Sequence, residues 1–423
     1  MQILKNKGGL STAFIKTSKF KAELLTIRFV LPLDIKTAGH NAMAAALISE
    51  CSKKYPEPEM LSRELSRLYG IGIFSGVEKV ADNQIITFSL KGLADRYALG
   101  EEKCLSLGAD ILYELIFNPN LENGVFTQRD TQRIKRVWYD RISGEINDKR
   151  IYAKNQLERK MFENLPYGVS RLGTLEDAKN ATAEELFKGY LRLINEAEIR
   201  ITYIGEEYPA EIIEKFLIAF GKNERKSEKN NTNPKKLDKP QIIEERMDIT
   251  QGKLVMGFLA EPGLDRETYP FMVMSDIFGG GPYSKLFENV REKMSLCYYC
   301  SARMSRIKGF LTVDCGVEEE NAQKAADAIL AQLEDIRNGK FEDSVIEASK
   351  KSICDSLNSM GDSNTALEIW YGLRIKEENP ISPKEMESLV NSVTREQIIE
   401  CAKKVSPHTF YFLLPEGDKA DEK

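Results

Sequence analysis

The sequence predicts an α+β protein built as two tandem domains of one design. Three observations carry this expectation: the chain length, a polar stretch near its middle, and the same order of elements on either side of that stretch. The chain has 423 residues, more than one core of ordinary size encloses, which points to two domains of about 200 residues each. Residues 221–240, GKNERKSEKNNTNPKKLDKP, contain one apolar side chain, Leu237. Polar, charged, Asn- and Pro-containing chain without periodicity reads as a linker. The expected domains are residues 1–222 and 242–423, with 223–241 between them.

In the first half, IRFVLPL (27–33) reads as a strand. An alanine-rich helix follows, GHNAMAAALISE, expected to start near Asn41 and to end before Tyr55-Pro56, because proline disfavours helix in the residue ahead of it. PEMLSRELSRLYG (58–70) is a second helix. IGIFSGV (71–77) and NQIITFSLKGL (83–93) are strands. The second half repeats this order. KLVMGFLAE (253–261) is a strand, TYPFMVMSDIFGGG and YSKLFENVREKM (283–294) are helices, and SLCYYCSARM and GFLTVDCGV (309–317) are strands. The spacing from Phe29 to Gly70 nearly equals that from Phe258 to Ser295, and the spacing from Ile73 to Ile86 nearly equals that from Tyr298 to Phe310. Long amphipathic helices continue each half. NAQKAADAILAQLEDIRNG (321–339) keeps Ala322, Ala325, Ile329, Leu333 and Ile336 near helical spacing, with Asn338-Gly339 as its stop. Each half closes on a strand, AEIRITYIGE (197–206) and TFYFLLPEG (409–417). Hairpin-like strands mixed with runs of helices imply antiparallel-rich sheets covered by helices rather than doubly wound sheets.

Composition excludes several functions. Hydrophobic residues make up 42% and charged residues 30%, with a net charge of -5, so no nucleic-acid partner is expected. No apolar run reaches the ~18 residues that span a membrane. MQILKNKGGLSTAFIKTSKF has neither a continuous apolar core nor a small-residue cleavage site. A cytoplasmic protein without a membrane partner is the expectation. The seven cysteines, 51, 104, 297, 300, 315, 354 and 401, are odd in number and scattered, as reduced thiols are. Cys297 and Cys300 have C-x-x-C spacing, but no second pair exists to complete a zinc ribbon, and residues three apart on a strand are expected to face opposite ways.

Two histidines, His40 and His408, are far apart in sequence, so no His–His zinc pair shares a helix turn. His40 is expected ahead of the alanine-rich helix and His408 ahead of the last strand, both as surface or packing residues. G-x-S-x-G does not occur. Phe278-Gly279-Gly280-Gly281-Pro282 lacks the G-K-[ST] ending of a phosphate loop and reads as a tight link between helices, where glycine tolerates positive φ.

Several segments, in the right order over essentially the whole chain, carry a resemblance. SKLFENVREKMSLCYYCSARM resembles the segment S-R-L-F-x-x-V-R-E-K-x-G-L-x-Y of the pitrilysin/insulinase metallopeptidases, which include the mitochondrial processing peptidases. LPYGVSRLGTLEDAKNATAEELFKGY (165–190) resembles their P-Y-G-x-x-x-L-G-T segment, KKYPEPEMLSRELSRLYG the stretch after their metal helix, and QGKLVMGFLAE the first strand of their second domain. The family fold of tandem α+β halves agrees with the repeat read above. Active relatives carry H-x-x-E-H on the first helix, where two histidines bind zinc and the glutamate activates water. Alignment through Lys53-Lys54-Tyr55-Pro56 puts Ala42, Ala45 and Ala46 at those positions. The third ligand, a glutamate, falls near Glu122 by equal spacing, while the matching helix FTQRDTQRIKRVWYDR (126–141) contains no glutamate. No metal or other cofactor is therefore expected in this chain.

In this family a partner half supplies an arginine and a tyrosine that hold the substrate backbone and the tetrahedral oxyanion. By resemblance these are Arg291 and Tyr298. A guanidinium suits a peptide carbonyl or carboxylate, and a phenol donates one hydrogen bond. The resemblance thus implies a non-catalytic subunit, inactive alone, that pairs with a homologous chain bearing zinc and H-x-x-E-H, or forms a homodimer in isolation, and binds extended peptide. A structural or peptide-binding scaffold without any peptidase role is the alternative, with a family precedent in the core subunits of the respiratory bc1 complex. A lone zinc peptidase with other ligands, such as cysteines, is a third reading.

Overall fold

The computed structural model describes residues 2–100, 103–221, 225, 232–260, 268–305, 307–377 and 379–416. Contacts divide the chain into two compact units. The first comprises Met1–Ser143, Val169–Asn231 and Met360–Pro380, and the second Gly144–Gly168, Thr232–Ser359 and Ile381–Lys423. Each unit takes in one stretch from the other half of the sequence, where the expected domains were continuous spans. The passage at Asn231–Thr232 falls inside the expected linker, of which residues 223, 224 and 226–231 lie outside the described residues.

The first unit holds a six-stranded sheet. Its strands are β1 (Gln2–Lys7), β2 (Leu10–Lys16), β3 (Ala22–Pro32), β4 (Gly72–Val80), β5 (Asn83–Leu93) and β8 (Glu198–Gly205), in the order β1-β2-β8-β3-β5-β4. β6 (Leu121–Glu122) and β7 (Val125–Phe126) form a separate ribbon. The second unit holds β9 (Gln241–Met247), β10 (Gly252–Ala260), β11 (Cys297–Ser305), β12 (Phe310–Val317) and β13 (Val405–Pro415), in the order β11-β12-β10-β13-β9. The duplication is visible in the topology: β2-β8-β3-β5-β4 repeats as β9-β13-β10-β12-β11. In both sheets the join of β2 to β8, or of β9 to β13, is parallel and the remaining pairings are antiparallel. The expected α+β class with antiparallel-rich sheets under helices is what the chain adopts.

β1 and β2 were not anticipated from the sequence. Gly8 and Gly9, both at positive φ (62° and 75°), turn the chain into this hairpin, and a glycine pair between strands is its signal.

The helices of the first unit are α1 (Ala38–Glu50), α2 (Pro58–Arg67), α3 (Cys104–Phe117), α4 (Gln128–Ser143), α6 (Leu175–Asn180), α7 (Ala183–Asn195), α8 (Ala210–Phe220) and α12 (Asn364–Gly372). Those of the second are α5 (Lys149–Met161), α9 (Thr268–Gly279), α10 (Ala322–Arg337), α11 (Asp343–Ser359), α13 (Pro383–Asn391) and α14 (Arg395–Lys403). Capping boxes at Thr174, Thr182, Ser382 and Thr394 start α6, α7, α13 and α14 by satisfying backbone N–H groups that have no partner within the helix. None of the helices is long and apolar enough to cross a membrane among the described residues.

The stretch borrowed from the other half has a common purpose in both units. β3 and β10 are buried along nearly their whole length, so both faces of each sheet need cover. In the first unit one face packs on Phe29, Phe88 and Phe220, with ring centroids 5.6–5.8 Å apart. α12 covers the other, where Glu368 accepts hydrogen bonds from both terminal nitrogens of Arg28, the second at 2.6 Å, with both side chains buried. In the second unit α5 is the cover. Its Ala153 and Leu157 pack on Val255, Tyr411 and Leu413, and its Arg150 and Lys154 pair with buried Asp314. The acid sits on the helix in one unit and on the strand in the other.

Candidate functional site

α1 is apolar around its circumference, as a helix enclosed on all sides must be. Ala42, Met43, Ala44, Ala45, Leu47 and Ile48 are buried and Ala46 is half-buried. The small side chains allow close approach: a Cβ on Gly189 of α7 would stand 2.6 Å from the carbonyl oxygen of His40. Buried Asn41 anchors the first turn, donating to Gln84 Oε1 (3.1 Å) and accepting from Arg192 Nε (2.9 Å). One turn beyond Ala46, Glu50 pairs with Arg133 of α4.

Ala42, Ala45 and Ala46 present methyl groups, which have no lone pair for a metal. Glu122 is exposed on β6, and α4 turns Asp130, Thr131, Ile134 and Trp138 inward. Among the described residues no group of three or more His, Cys, Asp and Glu side chains is placed to hold a metal ion. The donor set therefore does not fit the zinc that the resemblance associates with this helix. His40 lies within α1, whose first turn begins three residues earlier than expected, at Ala38. His408 lies within β13, buried, with Nδ1 2.8 Å from Thr409 Oγ1 and Nε2 3.2 Å from the Lys235 carbonyl. Burial pushes its pKa down.

The corner carrying Arg291 and Tyr298 is built from three backbone irregularities. The expected helix over 283–294 is a π-helix, Leu286–Lys293, with Met294 N–H donating to Asn289 O at 3.0 Å. Such wide turns are rare and recur at functional sites. Ser295 follows at φ 52°, in the left-handed region, where the family segment has glycine. The first residues of β11 then bulge: Cys297 pairs with Val317 and Tyr299 with Gly316, which leaves Tyr298 as the extra residue.

The bulge turns Tyr298 outward, 57% exposed, while Tyr299 packs beneath Arg150, whose guanidinium lies 4.3 Å from its ring centroid. Arg291 Nε donates to the Tyr298 carbonyl at 3.0 Å, its Nη1 is 3.3 Å from Glu292, and its guanidinium lies 4.5 Å over the Phe287 ring. The Tyr298 hydroxyl donates to Glu318, and that bond raises the phenol pKa. The Arg291 side chain thus reaches the Tyr298 backbone, while the Tyr298 hydroxyl is held by Glu318. Chemically the corner offers a fixed cation and a phenol beside the outermost strand of the sheet, able to hold a peptide carbonyl or carboxylate.

Phe287, Ser295 and Glu318 were not singled out from the sequence. Glu318 directly follows β12, and its approach to Tyr298 depends on the bulged register. The same bulge corrects the expectation for Cys297 and Cys300: with one residue added, both face inward and are buried. All seven cysteines are buried. The Cys51 thiol is pushed up to about 11, first by burial, so it is protonated at neutral pH and a poor ligand. Gly279, Gly280 and Gly281 also differ from expectation. None has a positive φ. Glycine is needed at Gly279 because a Cβ there would enter the backbone of Ala302.

Residues 180–353 match the family described as Peptidase M16 inactive domain. The chain is 29% identical over 415 residues, 97% of each chain, to a Bacillus subtilis (strain 168) protein named Probable inactive metalloprotease YmfF. It superimposes with a TM-score of 0.91 on the crystal structure of a conserved protein from Enterococcus faecalis V583, at 28% identity, covering 98% of this chain and 99% of the other. A TM-score of 0.79 relates it to a structure of a peptidase M16 inactive domain from Pseudomonas fluorescens, at 15% identity and 98% coverage of both, a likeness of fold.

Proposed function

The chain is an M16-peptidase homologue without the family's zinc motif, and on that premise we propose that it is a non-catalytic partner subunit of a heteromeric zinc peptidase. It pairs with a homologous chain that carries H-x-x-E-H, binds extended peptide, and lends Arg291 and Tyr298 to the partner's reaction. The observation that carries this reading is the contrast between methyl groups at Ala42, Ala45 and Ala46 and the cation–phenol pair displayed beside an open strand edge. Arg291 holds the substrate backbone, and the Tyr298 hydroxyl, once exchanged from Glu318, donates to the developing oxyanion.

The test is reconstitution with such a homologous chain and assay of peptide cleavage. Loss of one oxyanion donor costs about 10²–10³ in kcat, so Tyr298→Phe and Arg291→Ala are each expected to lower turnover by at least about tenfold without dissociating the complex. Full activity in both variants refutes the reading. The internal engagement of Arg291 with the Tyr298 carbonyl, and of the Tyr298 hydroxyl with Glu318, favours a second one, a scaffold without a peptidase role. That reading predicts unchanged turnover by the partner enzyme when this chain is left out.

A further inference from the structure

The first unit has a counterpart of the Arg291–Tyr298 corner where α2 runs into β4, and its chemistry is different. Tyr69 and Gly70, both in the left-handed region (φ 57° and 70°), turn the chain directly into β4, the outermost strand, whose one strand partner among the described residues is β5; farther along β4 the Val77 carbonyl accepts from Arg171 Nε at 3.1 Å. A groove of about 360 Å³ opens at this turn, lined by Lys21, Tyr69, Gly72, Phe74, Lys91 and Leu93 among others. The register explains the opening. Gly72 lies opposite Lys91 and has no side chain to cover it, while the Phe74 ring folds against Gly72. Ala22 lies opposite Leu93, so Lys21, just ahead of β3, arrives at the same end of the sheet. Phe74 is 60% and Tyr69 40% exposed, unusual for aromatic rings on a sheet end.

Neither Lys21 nor Lys91 has an acidic partner among the described residues, and no carboxylate lines the groove. Two unpaired ammonium groups, two aromatic walls and a free strand edge call for a ligand that is anionic at one end, apolar next to it, and extended. A nucleic acid is a poor match for two cations on a chain of net charge -5. We propose that this groove captures the free C-terminal carboxylate of an extended peptide whose last residue is apolar. Lys21 and Lys91 hold the carboxylate, Phe74 and Tyr69 flank the last side chain, and the preceding residues add along the open edge of β4. The proposal rests on the peptide-binding part of the function proposed above.

The experiment uses the full chain and a short fluorescein-labelled peptide of alternating alanine and threonine ending in leucine, prepared as the free acid and as the C-terminal amide. Binding is read by fluorescence anisotropy. A charge-assisted contact of this kind discriminates by at least about tenfold, so the free acid is expected to bind that much tighter than the amide. Lys91→Met and Lys21→Met are expected to bring acid and amide to the same weak affinity, with melting temperatures unchanged, and Lys403→Met, at an exposed lysine outside both sites, to leave the preference for the acid intact. Equal binding of the two peptides, a preference that survives both lysine variants, or no binding of the acid at about 1 mM overturns the proposal. Equal binding that Arg291→Ala abolishes removes this groove while leaving the Arg291–Tyr298 reading standing.

Discussion

The turn from α2 into β4 and the turn from the π-helix into β11 are the same topological corner, once in each unit. Gly70 and Ser295 both sit at its left-handed position, with φ of 70° and 52°. Ile73 and Tyr298 follow each by three residues. The outcome is opposite: Ile73 packs against the core of its unit, whereas Tyr298 stands out at 57% exposure. β4 pairs with β5 in unbroken register, while β11 gains a residue against β12. One inserted residue reverses the face that a side chain occupies, because side chains alternate along a strand. The duplicated corner therefore yields an aromatic, lysine-lined groove in one unit and an arginine–tyrosine pair in the other, without any change in sheet order.

Truncation at the two equivalent positions separates them most widely. Ile73→Ala, at a half-buried site packed on the core, is expected to cost about 1–2 kcal/mol of stability, below most fully buried Ile→Ala changes, and Tyr298→Ala to leave stability nearly unchanged, as at exposed sites. Denaturant melts decide this, and equal costs would mean that Tyr298 is a packing residue. The left-handed position gives a smaller contrast. Ser295→Gly is expected to stabilise by about 0.5–1 kcal/mol, and Gly70→Ala, where a Cβ meets nothing within 4 Å, to destabilise by about 1 kcal/mol through backbone strain alone.

The last contrast is one of pH dependence and concerns Asp314, which lies on β12 next to β11. Burial raises its pKa, but hydrogen bonds and charge from Arg150 and Lys154 outweigh burial and hold the carboxyl below its ordinary value of 3.8. A depressed folded-state pKa adds stability above the unfolded value, and that stability is lost as pH falls through the folded one. Asp314→Asn is therefore expected to flatten the fall in melting temperature below about pH 4, with little change in its pH dependence above that.

Much of the fold was legible because it is written in local periodicity. β5 occupies the span expected for it, Asn83–Leu93, and β8 and α10 lie within a residue or two of theirs. The exchanged helices were not legible. AELLTIRFVLP and GKLVMGFLA are apolar on both faces, which announces that each sheet needs a second cover but not which segment supplies it. At the candidate site the spacing of Arg291 and Tyr298 was readable, while Phe287 beneath the guanidinium and Glu318 on the phenol were not, since neither lies at a fixed interval from its partner.

By itself the sequence settled what α1 lacks. Ala42, Ala45 and Ala46 carry no donor atoms, and no packing can create one. It also settled that two halves share one element order, because that order follows from the pattern of apolar residues along each. Tertiary structure decided everything that depends on which side a residue faces: Tyr298 out and Ile73 in, Cys297 and Cys300 together, Glu368 over Arg28 and Arg150 over Asp314. Facing is set by register, bulges and the partner surface that closes over a sheet. Those are contacts between residues distant in sequence, which local pattern does not encode.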